Sequence, residues 1–473
     1  MMDSMEYIKG YIERAREAQA IFEGYDQGTV DLAVMSAGRV IYDNSEILAK
    51  MAVEETGMGK YEDKVLKNKS KASIIWNSLK GKKSRGIIHR NPVTGIVKIA
   101  KPIGIAGAIT PSTNPIVTPM SNAMFALKGG NAIIITPHHS AVKCSGETVR
   151  LIRNQLEELG LPVDLVQILD RQSRENTGNL ISSVDVVIAT GGMGMVHAAY
   201  SSGRPALGVG AGNVQCIIDR GVDYEDAVEK IIVGRGFDNG IICSAEQSVI
   251  CPEEELNKIM GIFEIMGAYV VRGEDERIRL RETMFVDGSI NRHTVGKNPW
   301  QIGRLAGIPI PEDARIIVVG AQGTGNEDPL AKEKMCPVIA AFSYGSFPEA
   351  VEIARVNLEA EGKGHSVSIH SNNEANIEYA GEKLCVSRFL VNQVCASSAG
   401  GSFFNGLNPT NTLGCGSWGR NSISENLTYY HLINISRIAY HRPGNHVPDD
   451  EELWSLSKGL DEGDSKVICQ REG

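Results

Sequence analysis

Apolar positions in the first 80 residues recur at the spacing of amphipathic helices. Two sets of apolar residues each share a helix face, namely Ile8, Tyr11, Ile12 and Ala15, and then Leu32, Met35, Val40 and Ile41. Two β-rich runs over residues 86–90 and 95–99 then flank a turn-like segment at 91–94. This part of the chain therefore predicts several helices followed by a β-hairpin.

Beyond residue 103, short apolar and β-branched runs alternate with helical patterns. One series covers residues 104–110, 132–136, 163–169 and 184–190, and a second covers 248–251, 268–271, 315–319, 338–342 and 367–370. Strands that alternate with helices are typical of parallel, doubly wound sheets. The fold class predicted from the pattern is α/β, with one such unit on each side of about residue 243.

Length, charge and cysteine usage narrow the class of protein. A chain of 473 residues is too long for a single core, so two or three substructures are expected. A net charge of −9 and the lack of a long basic run argue against a nucleic-acid partner. The apolar runs are too short to span a bilayer, and no secretory signal is visible. Nine scattered cysteines without paired spacing predict a cytoplasmic protein with neither a disulfide framework nor a metal site.

Cys243 is the candidate nucleophile. It follows Gly240 in a short apolar segment and precedes a polar run and a strand-like run at 248–250. A thiolate is the strongest side-chain nucleophile near neutral pH, and a loop can direct it into a cleft. The alternative is a small buried hydrophobe, as for most free cysteines.

A glycine-containing run at 190–194 is the candidate phosphate-binding turn. It follows a strand-like run and precedes a helical pattern, so that Gly191 and Gly192 would bring backbone N–H groups close to a pyrophosphate. An ordinary turn is the alternative for this short motif.

Six motifs in order and at matching spacing point to one family. They lie at residues 109–115, 189–194, 208–213, 237–247, 332–338 and 412–418. With them the chain resembles the aldehyde dehydrogenase superfamily over about residues 5–445, and within it the coenzyme A-acylating branch. The resemblance implies a Rossmann-type cofactor domain, an α/β catalytic domain and a β arm that builds a homodimer or homotetramer. The expected ranges are 1–85 with 102–213 for the cofactor domain, 214–428 for the catalytic domain, 86–101 with 429–445 for the arm, and 446–473 for a peripheral tail.

The resemblance also implies roles for individual residues. Cys243 would attack the aldehyde, and its backbone N–H with Asn114 or Thr113 would stabilise the oxyanion. Nucleotide contacts are expected at Thr110, Pro111, Thr136, His138, His139, Gly191, Gly192, Gly210 and Glu333. Many relatives hold the ribose 2′-hydroxyl with a glutamate where this chain has His138 or His139. NAD is the expected cofactor, and NADP stays open.

The run Gly208–Ala211 departs from hydrolytic relatives, which carry there the glutamate that activates water. A thioester without such a base persists until another nucleophile, such as the thiol of coenzyme A, attacks it. His365 is a candidate base for that thiol, with a structural histidine as the alternative.

Arg420 and Ser417, in a glycine-rich segment, are the candidate substrate residues. A guanidinium can bind a carboxylate or sulfonate through two hydrogen bonds, although a surface arginine is the alternative. The expected reaction is therefore aldehyde + CoA + NAD(P)+ to acyl-CoA + NAD(P)H, on succinate semialdehyde or sulfoacetaldehyde. The alternatives are an acetylating acetaldehyde dehydrogenase and a hydrolytic enzyme that releases the free acid.

Overall fold

The computed structural model describes residues 3–455 of the chain, so that most of the predicted tail over 446–473 lies outside the described residues. Four helices open the chain, as the apolar spacing predicts. They are α1 (Ser4–Phe22), α2 (Gln27–Asp43), α3 (Ser45–Thr56) and α4 (Tyr61–Leu79). None of the helices within residues 3–455 is long and apolar enough to cross a membrane.

A three-stranded antiparallel sheet joins distant parts of the chain. Strands β1 (Gly86–Asn91) and β2 (Ile96–Pro102) form the predicted hairpin, and β17 (Ile433–Ala439) pairs with the other edge of β2. Because β2 is the central strand, β1 and β17 each keep one edge that pairs with no other described strand.

A five-stranded parallel sheet follows, in the order β5-β4-β3-β6-β7. Its strands are β3 (Ile105–Thr110), β4 (Ala132–Pro137), β5 (Val166–Ile168), β6 (Val186–Ala189) and β7 (Ala206–Gly208). Its helices are α5 (Val117–Lys128), α6 (Val142–Glu158), α7 (Arg174–Ser183) and α8 (Met193–Tyr200). The strand order reverses between β3 and β6. Such a reversal opens a crevice at the carboxyl ends of the strands, where open α/β sheets bind ligands.

A seven-stranded parallel sheet forms the second unit, in the order β10-β13-β14-β9-β8-β15-β16. Its strands are β8 (Val214–Ile218), β9 (Glu246–Pro252), β10 (Tyr269–Val271), β13 (Ile317–Gly320), β14 (Val338–Tyr344), β15 (Gly364–His370) and β16 (Val386–Val391). The remaining elements are α9 (Tyr224–Gly236), α10 (Leu256–Ile265), α11 (Glu274–Met284), β11 (Phe285–Val286), β12 (Ser289–Ile290), α12 (Pro299–Ala306), α13 (Phe347–Ala360), α14 (Glu374–Lys383), α15 (Cys395–Ser398) and α16 (Asp450–Trp454). Strands β7 and β8, which are runs beside the glycines at 208–212, were not predicted, and neither were β16 and the two-residue strands β11 and β12.

The buried face of α2 differs from the prediction. Leu32 and Met35 are 42% and 37% exposed, whereas Ala33 and Ala37 are buried against α4 and α5. A Cβ at Gly38 would lie only 2.9 Å from the methyl group of Met124 in α5. The buried face of α2 also includes Val30, Val34 and Ile41, whereas Leu32 and Met35 lie at the surface. The predicted face was therefore wrong for Leu32 and Met35.

Candidate active site

Cys243 lies in the loop between the short 3-10 turn Phe237–Gly240 and strand β9, and its side chain is partly exposed. A cavity of about 180 Å³ opens beside its thiol. Residues from four parts of the chain line this cavity, namely Leu66, Lys67, Ser70, Lys71, Asn114, Phe237, Ile242, Ser244, Ala396, Ser397, Gly400, Thr410, Asn411 and Leu413. The fold therefore places the Cys243 thiol at a cavity whose lining residues could not be identified from the sequence alone.

The charges of this cavity all have one sign. Lys67 and Lys71 of α4 line it, and no aspartate or glutamate does so among the residues that the structure describes. Lys67 is paired with the carboxylate of Asp238, whereas Lys71 donates only to the carbonyl oxygen of Gly400, at 3.0 Å. Burial, and then the charge of Lys67, lower the pKa of Lys71 to about 8. The cavity thus combines a thiol with an ammonium group that lacks an anionic partner.

The surroundings of Cys243 disfavour the thiolate form. Burial is the main cause that raises its pKa to about 12, and the nearby Glu333 and Cys415 act in the same direction. The guanidinium of Arg388 acts in the opposite direction. A nucleophile of this kind becomes reactive when positive charge or hydrogen-bond donors stabilise its anion.

The glycines at 208–212 are closely packed against neighbouring residues. A Cβ at Gly208 would lie 2.7 Å from the ring of Tyr200, and one at Gly212 would overlap the carbonyl oxygen of Cys243. A Cβ at Gly210 would lie 3.3 Å from the sulfur of Cys415. The tyrosine thus occupies the space that a side chain at position 208 would need. No carboxylate can act from this position, because the site has neither the residue nor the room.

The carboxyl ends of β3, β4 and β6 meet at the crevice of the first sheet. Thr110 ends β3, Thr136 lies near the end of β4, and Gly191 and Gly192 follow β6. The hydroxyl of Thr110 is buried without a hydrogen-bond partner in the described structure. A Cβ at Gly191 or Gly192 would meet no atom within 4 Å. The unpaired Thr110 hydroxyl and the open space at Gly191 and Gly192, just before the N-terminus of α8, fit the phosphate groups of a bound dinucleotide.

The chain matches known proteins along most of its length. The sequence matches the family model described as "Aldehyde dehydrogenase family" over residues 3–264. The succinate-semialdehyde dehydrogenase (acetylating) of Clostridium kluyveri is 54% identical over 94% of this chain and 98% of the relative. The chain belongs to the aldehyde dehydrogenase family.

Two further relatives agree with this membership. A sulfoacetaldehyde dehydrogenase from an Acholeplasma species is 40% identical over 94% of this chain and 93% of its own length. The crystal structure of an acetylating aldehyde dehydrogenase from Geobacillus thermoglucosidasius superposes with a TM-score of 0.91 and 38% identity, covering 95% of this chain and 100% of that one. The predicted family and its aldehyde dehydrogenase-like α/β fold are thereby confirmed.

Other predicted cofactor residues of this aldehyde dehydrogenase lie around the same crevice. Pro111 follows β3, and His138 and His139 follow β4 with their rings 4.0 Å apart. Burial, then His139 and Arg292, lower the pKa of His138. The two imidazoles are exposed beyond the carboxyl end of β4, at the edge of the crevice.

Glu333 approaches the crevice from the second unit. Burial, and then the charge of Glu361, raise the pKa of the Glu333 carboxyl to about 8, and the backbone N–H of Gly212 faces it. Because Gly212 packs directly on Cys243, Glu333 lies close to the thiol, on its glycine-rich side. Glu333 therefore lies near Gly212 and Cys243, and its contact with the nicotinamide ribose stays a prediction.

His365 does not line the cavity. It lies in β15, is fully buried, and neither ring nitrogen has a hydrogen-bond partner among the described residues. Burial, and then the charge of Arg388, hold the pKa of His365 well below its ordinary value. In this conformation the imidazole is neutral and has no exposed edge to meet a thiol.

Arg420 and Ser417 are also outside the cavity. Both are exposed in a short turn next to Gly210 and β15, and Arg420 has a left-handed backbone conformation with φ of 57°. Its guanidinium makes no ion pair with a described residue, and it does not reach the cavity at Cys243. Arg420 therefore does not line the cavity at Cys243, and its predicted contact with the anionic tail of the substrate stays a prediction.

The sequence interpretation missed Lys67 and Lys71. Lys60, Lys64, Lys67 and Lys71 recur at intervals of three and four residues and therefore share one face of α4. Such a row usually indicates a solvated helix face. Here the row faces the second unit, and the side chains of Lys64 and Lys67 are nearly fully buried. A signal was present in the spacing, but only the packing of α4 shows what the lysines contact.

Proposed function

We propose that this protein is a coenzyme A-acylating aldehyde dehydrogenase whose physiological substrate is a small anionic aldehyde, with succinate semialdehyde as the first candidate. The observation that carries the proposal is the cavity at Cys243, which contains two lysines and no described carboxylate. The relatives named for succinate semialdehyde and sulfoacetaldehyde support the same substrate class.

The proposed mechanism begins when the Cys243 thiol loses its proton to solvent and becomes a thiolate. Its sulfur bonds to the aldehyde carbon, and the electrons of the carbonyl π bond move to the oxygen, which becomes an oxyanion. The Cys243 backbone N–H and the Asn114 amide donate hydrogen bonds to this oxyanion. When bound, NAD(P)+ accepts the hydride from this carbon, and a thioester remains on Cys243. Because no carboxylate among the described residues lines the cavity, the thioester persists until the sulfur of coenzyme A attacks it and Cys243 leaves as thiolate. His365 stays a candidate for the proton of the incoming thiol only if the site opens to expose its ring.

Lys71 is the proposed anchor for the anionic tail of the aldehyde. Lys67, the other lysine of the cavity, is already ion-paired with Asp238 and donates to Asn114. Among the described residues, the one hydrogen-bond partner of the Lys71 ammonium is a backbone carbonyl, so its charge is available to a ligand. A partly desolvated ammonium without a counter-ion is stabilised when a carboxylate or sulfonate binds beside it.

The cofactor is proposed to lie across the crevice of the first sheet. Its pyrophosphate would lie at Gly191 and Gly192, near the Thr110 hydroxyl, and its nicotinamide ribose at Glu333. His138 and His139 at the adenosine end provide no carboxylate to repel a 2′-phosphate, so NAD and NADP both fit. We favour NAD.

The assembly and the location of the protein are further parts of this proposal. We propose that β1, β2 and β17 build a homodimer or homotetramer, with 1–85 and 102–213 as the cofactor domain and 214–428 as the catalytic domain. The exposed side chains of Ile87, Val93, Ile438 and Tyr440 on this arm support such an interface. The eight cysteines within residues 3–455 are all free thiols, which supports a cytoplasmic location.

An initial-rate panel tests the proposed function. Succinate semialdehyde, sulfoacetaldehyde and acetaldehyde are each supplied with coenzyme A and either nucleotide, and the acyl-CoA product is identified by mass spectrometry. We expect kcat/KM to be higher for the two anionic aldehydes than for acetaldehyde. Acetaldehyde as the best substrate would contradict the assigned class, and free acid as the main product would contradict the acylating reaction.

Replacement of Lys71 is expected to weaken the binding of anionic aldehydes selectively. Lys71→Met keeps the length of the side chain and removes its charge. Loss of one partner of a desolvated charge pair costs on the order of 2 kcal/mol or more, so KM for succinate semialdehyde should rise at least about tenfold. KM for acetaldehyde, which has no anionic tail, should stay within about threefold.

Arg420→Gly is the matched control for Lys71→Met. It removes a positive charge that lies outside the cavity, so we expect the KM of all three aldehydes to change by less than about threefold. A selective rise with Arg420→Gly and none with Lys71→Met would place the anion site at the exposed turn instead.

The pH dependence of KM should follow the protonation of Lys71. Since burial lowers the pKa of Lys71 to about 8, the ammonium is mostly charged at pH 7 and is lost as the pH rises through 8. KM for succinate semialdehyde should therefore be flat below about pH 7 and approach a tenfold rise per pH unit above the pKa. KM for acetaldehyde measured over the same range gives the background, and parallel profiles for both aldehydes would contradict the assignment.

A further inference from the structure

Asn114 is held at the Cys243 cavity by a residue from a distant helix. The ammonium of Lys67 donates a hydrogen bond of 2.8 Å to the side-chain oxygen of Asn114. An ammonium can only donate, so it binds the amide through Oδ1 and leaves the two Nδ2–H donors directed elsewhere. The one described partner of Nδ2 is the hydroxyl of Thr113, at 3.4 Å. The amide therefore has a defined orientation with donor capacity to spare.

Lys67 is itself held by Asp238. Asp238 is fully buried, and its carboxylate accepts hydrogen bonds from Lys67, from Lys64 at 3.0 Å and from the backbone N–H of Lys60 at 3.0 Å. Although burial opposes it, the charges of Lys67 and Lys64 hold the pKa of Asp238 below its ordinary value. Asp238 is thus an anion under all ordinary conditions, and it fixes the position of the Lys67 ammonium.

The backbone at Asp238 takes part in the same arrangement. Asp238 has φ of 50°, which is the left-handed region, and its N–H donates to the Asp63 carboxylate at 2.7 Å. A left-handed residue other than glycine costs about 1 kcal/mol or more, and it persists where neighbouring contacts enforce it. The turn that carries Asp238 leads directly to Cys243. The same short segment therefore supplies the nucleophile and the anion that orders Lys67.

We propose that Lys67 and Asp238 are positioning residues that lock the Asn114 amide with its Nδ2–H groups toward the carbonyl oxygen that becomes the oxyanion. The inference rests on the proposed function for the identity of the reacting aldehyde. It selects Asn114 over Thr113, because Thr113 does not line the cavity and its hydroxyl accepts from Asn114 instead. The positive charge of Lys67 also polarises the amide and strengthens its donors.

A double-mutant cycle tests this role. Lys67→Met, Asn114→Ala and the double variant are compared by the rate of the first NADH burst without coenzyme A, a step that does not depend on the later thiol transfer. Removal of one oxyanion donor slows catalysis by about 10²–10³, so Asn114→Ala should fall in this range. Lys67→Met should slow the burst at least about tenfold with the aldehyde KM within about threefold. The double variant should be no more than about threefold slower than Asn114→Ala, because Lys67 acts through Asn114.

Lys64→Met is the matched control. It removes an ion pair with the same Asp238 oxygen but has no contact with Asn114. We expect its burst rate to stay within about threefold of the unmodified chain. If Lys67→Met does not fold, Lys67→Arg, which retains charge and a donor, replaces it and should keep most of the burst rate.

Two results would overturn the inference. If the burst rate of the Lys67→Met/Asn114→Ala variant falls by the product of the two single-variant factors, Lys67 does not act through Asn114. Equal loss of burst rate and of Tm in Lys64→Met and Lys67→Met would make both lysines merely structural. By contrast, the absence of any burst with every aldehyde in the unmodified chain would contradict the proposed function itself.

Discussion

Cys243→Ala should abolish aldehyde oxidation while the protein still folds and binds nucleotide. Since the thioester forms on this sulfur, the substitution removes the covalent route, and nucleophile deletions of this kind slow catalysis by several orders of magnitude. The loss should appear both in aldehyde oxidation and in acyl-CoA reduction. Initial rates in both directions, with nucleotide binding measured by fluorescence titration, check the prediction.

The matched control for Cys243→Ala is Cys385→Ala. Cys385 is the other described cysteine with a partly exposed side chain, and it does not line the cavity. Its removal should leave the rate within about twofold and the Tm within a few degrees. Retention of more than about a tenth of the rate in Cys243→Ala would refute the assignment of the nucleophile.

Without coenzyme A, the enzyme should release about one equivalent of NADH per site and then slow markedly. The burst reports the thioester on Cys243, and the slow phase reports its hydrolysis. No carboxylate lines the cavity among the described residues, and a side chain at Gly208 would collide with Tyr200. General-base activation contributes typically 10²–10⁴-fold, so the slow phase should be at least about 100-fold below the rate with coenzyme A.

Rapid mixing of enzyme, succinate semialdehyde and NAD, followed by intact-mass measurement, checks this prediction. The mass should increase by one acyl group, and addition of coenzyme A should return the free enzyme within one turnover. Cys243→Ala, which cannot form the thioester, gives the baseline. Sustained release of free acid at a rate like that with coenzyme A would show that a water-activating group exists and that the branch is misassigned.

Much of the fold follows from the apolar pattern. The helices at the start of the chain, the hairpin and most strands of both sheets appear where the pattern places them, because helical and strand periods are local properties of the chain. The strands that escaped prediction are β7 and β8 beside the glycines at 208–212, the two-residue strands β11 and β12, and the six-residue strand β16. The face of α2 was misjudged for Leu32 and Met35, because the helix has a second apolar face with Val30, Val34 and Ile41 that packs into the core.

The sequence by itself determined the family and showed that Cys243 lies in a loop typical of a nucleophile. It also showed that Gly208 replaces the glutamate of hydrolytic relatives. Each of these conclusions depends on residue identity within a short motif. Only the tertiary structure decided which side chains surround the thiol. It placed Asn114 rather than Thr113 at the cavity, left Arg420 at the surface and buried His365. Lys67 contacts Asp238, which lies 171 residues further along the chain, and a contact at this separation cannot be recognised from a local sequence pattern. Burial also changes the chemical behaviour of the lysines of α4, because lysines at the same spacing on a solvated helix face would be ordinary surface charges.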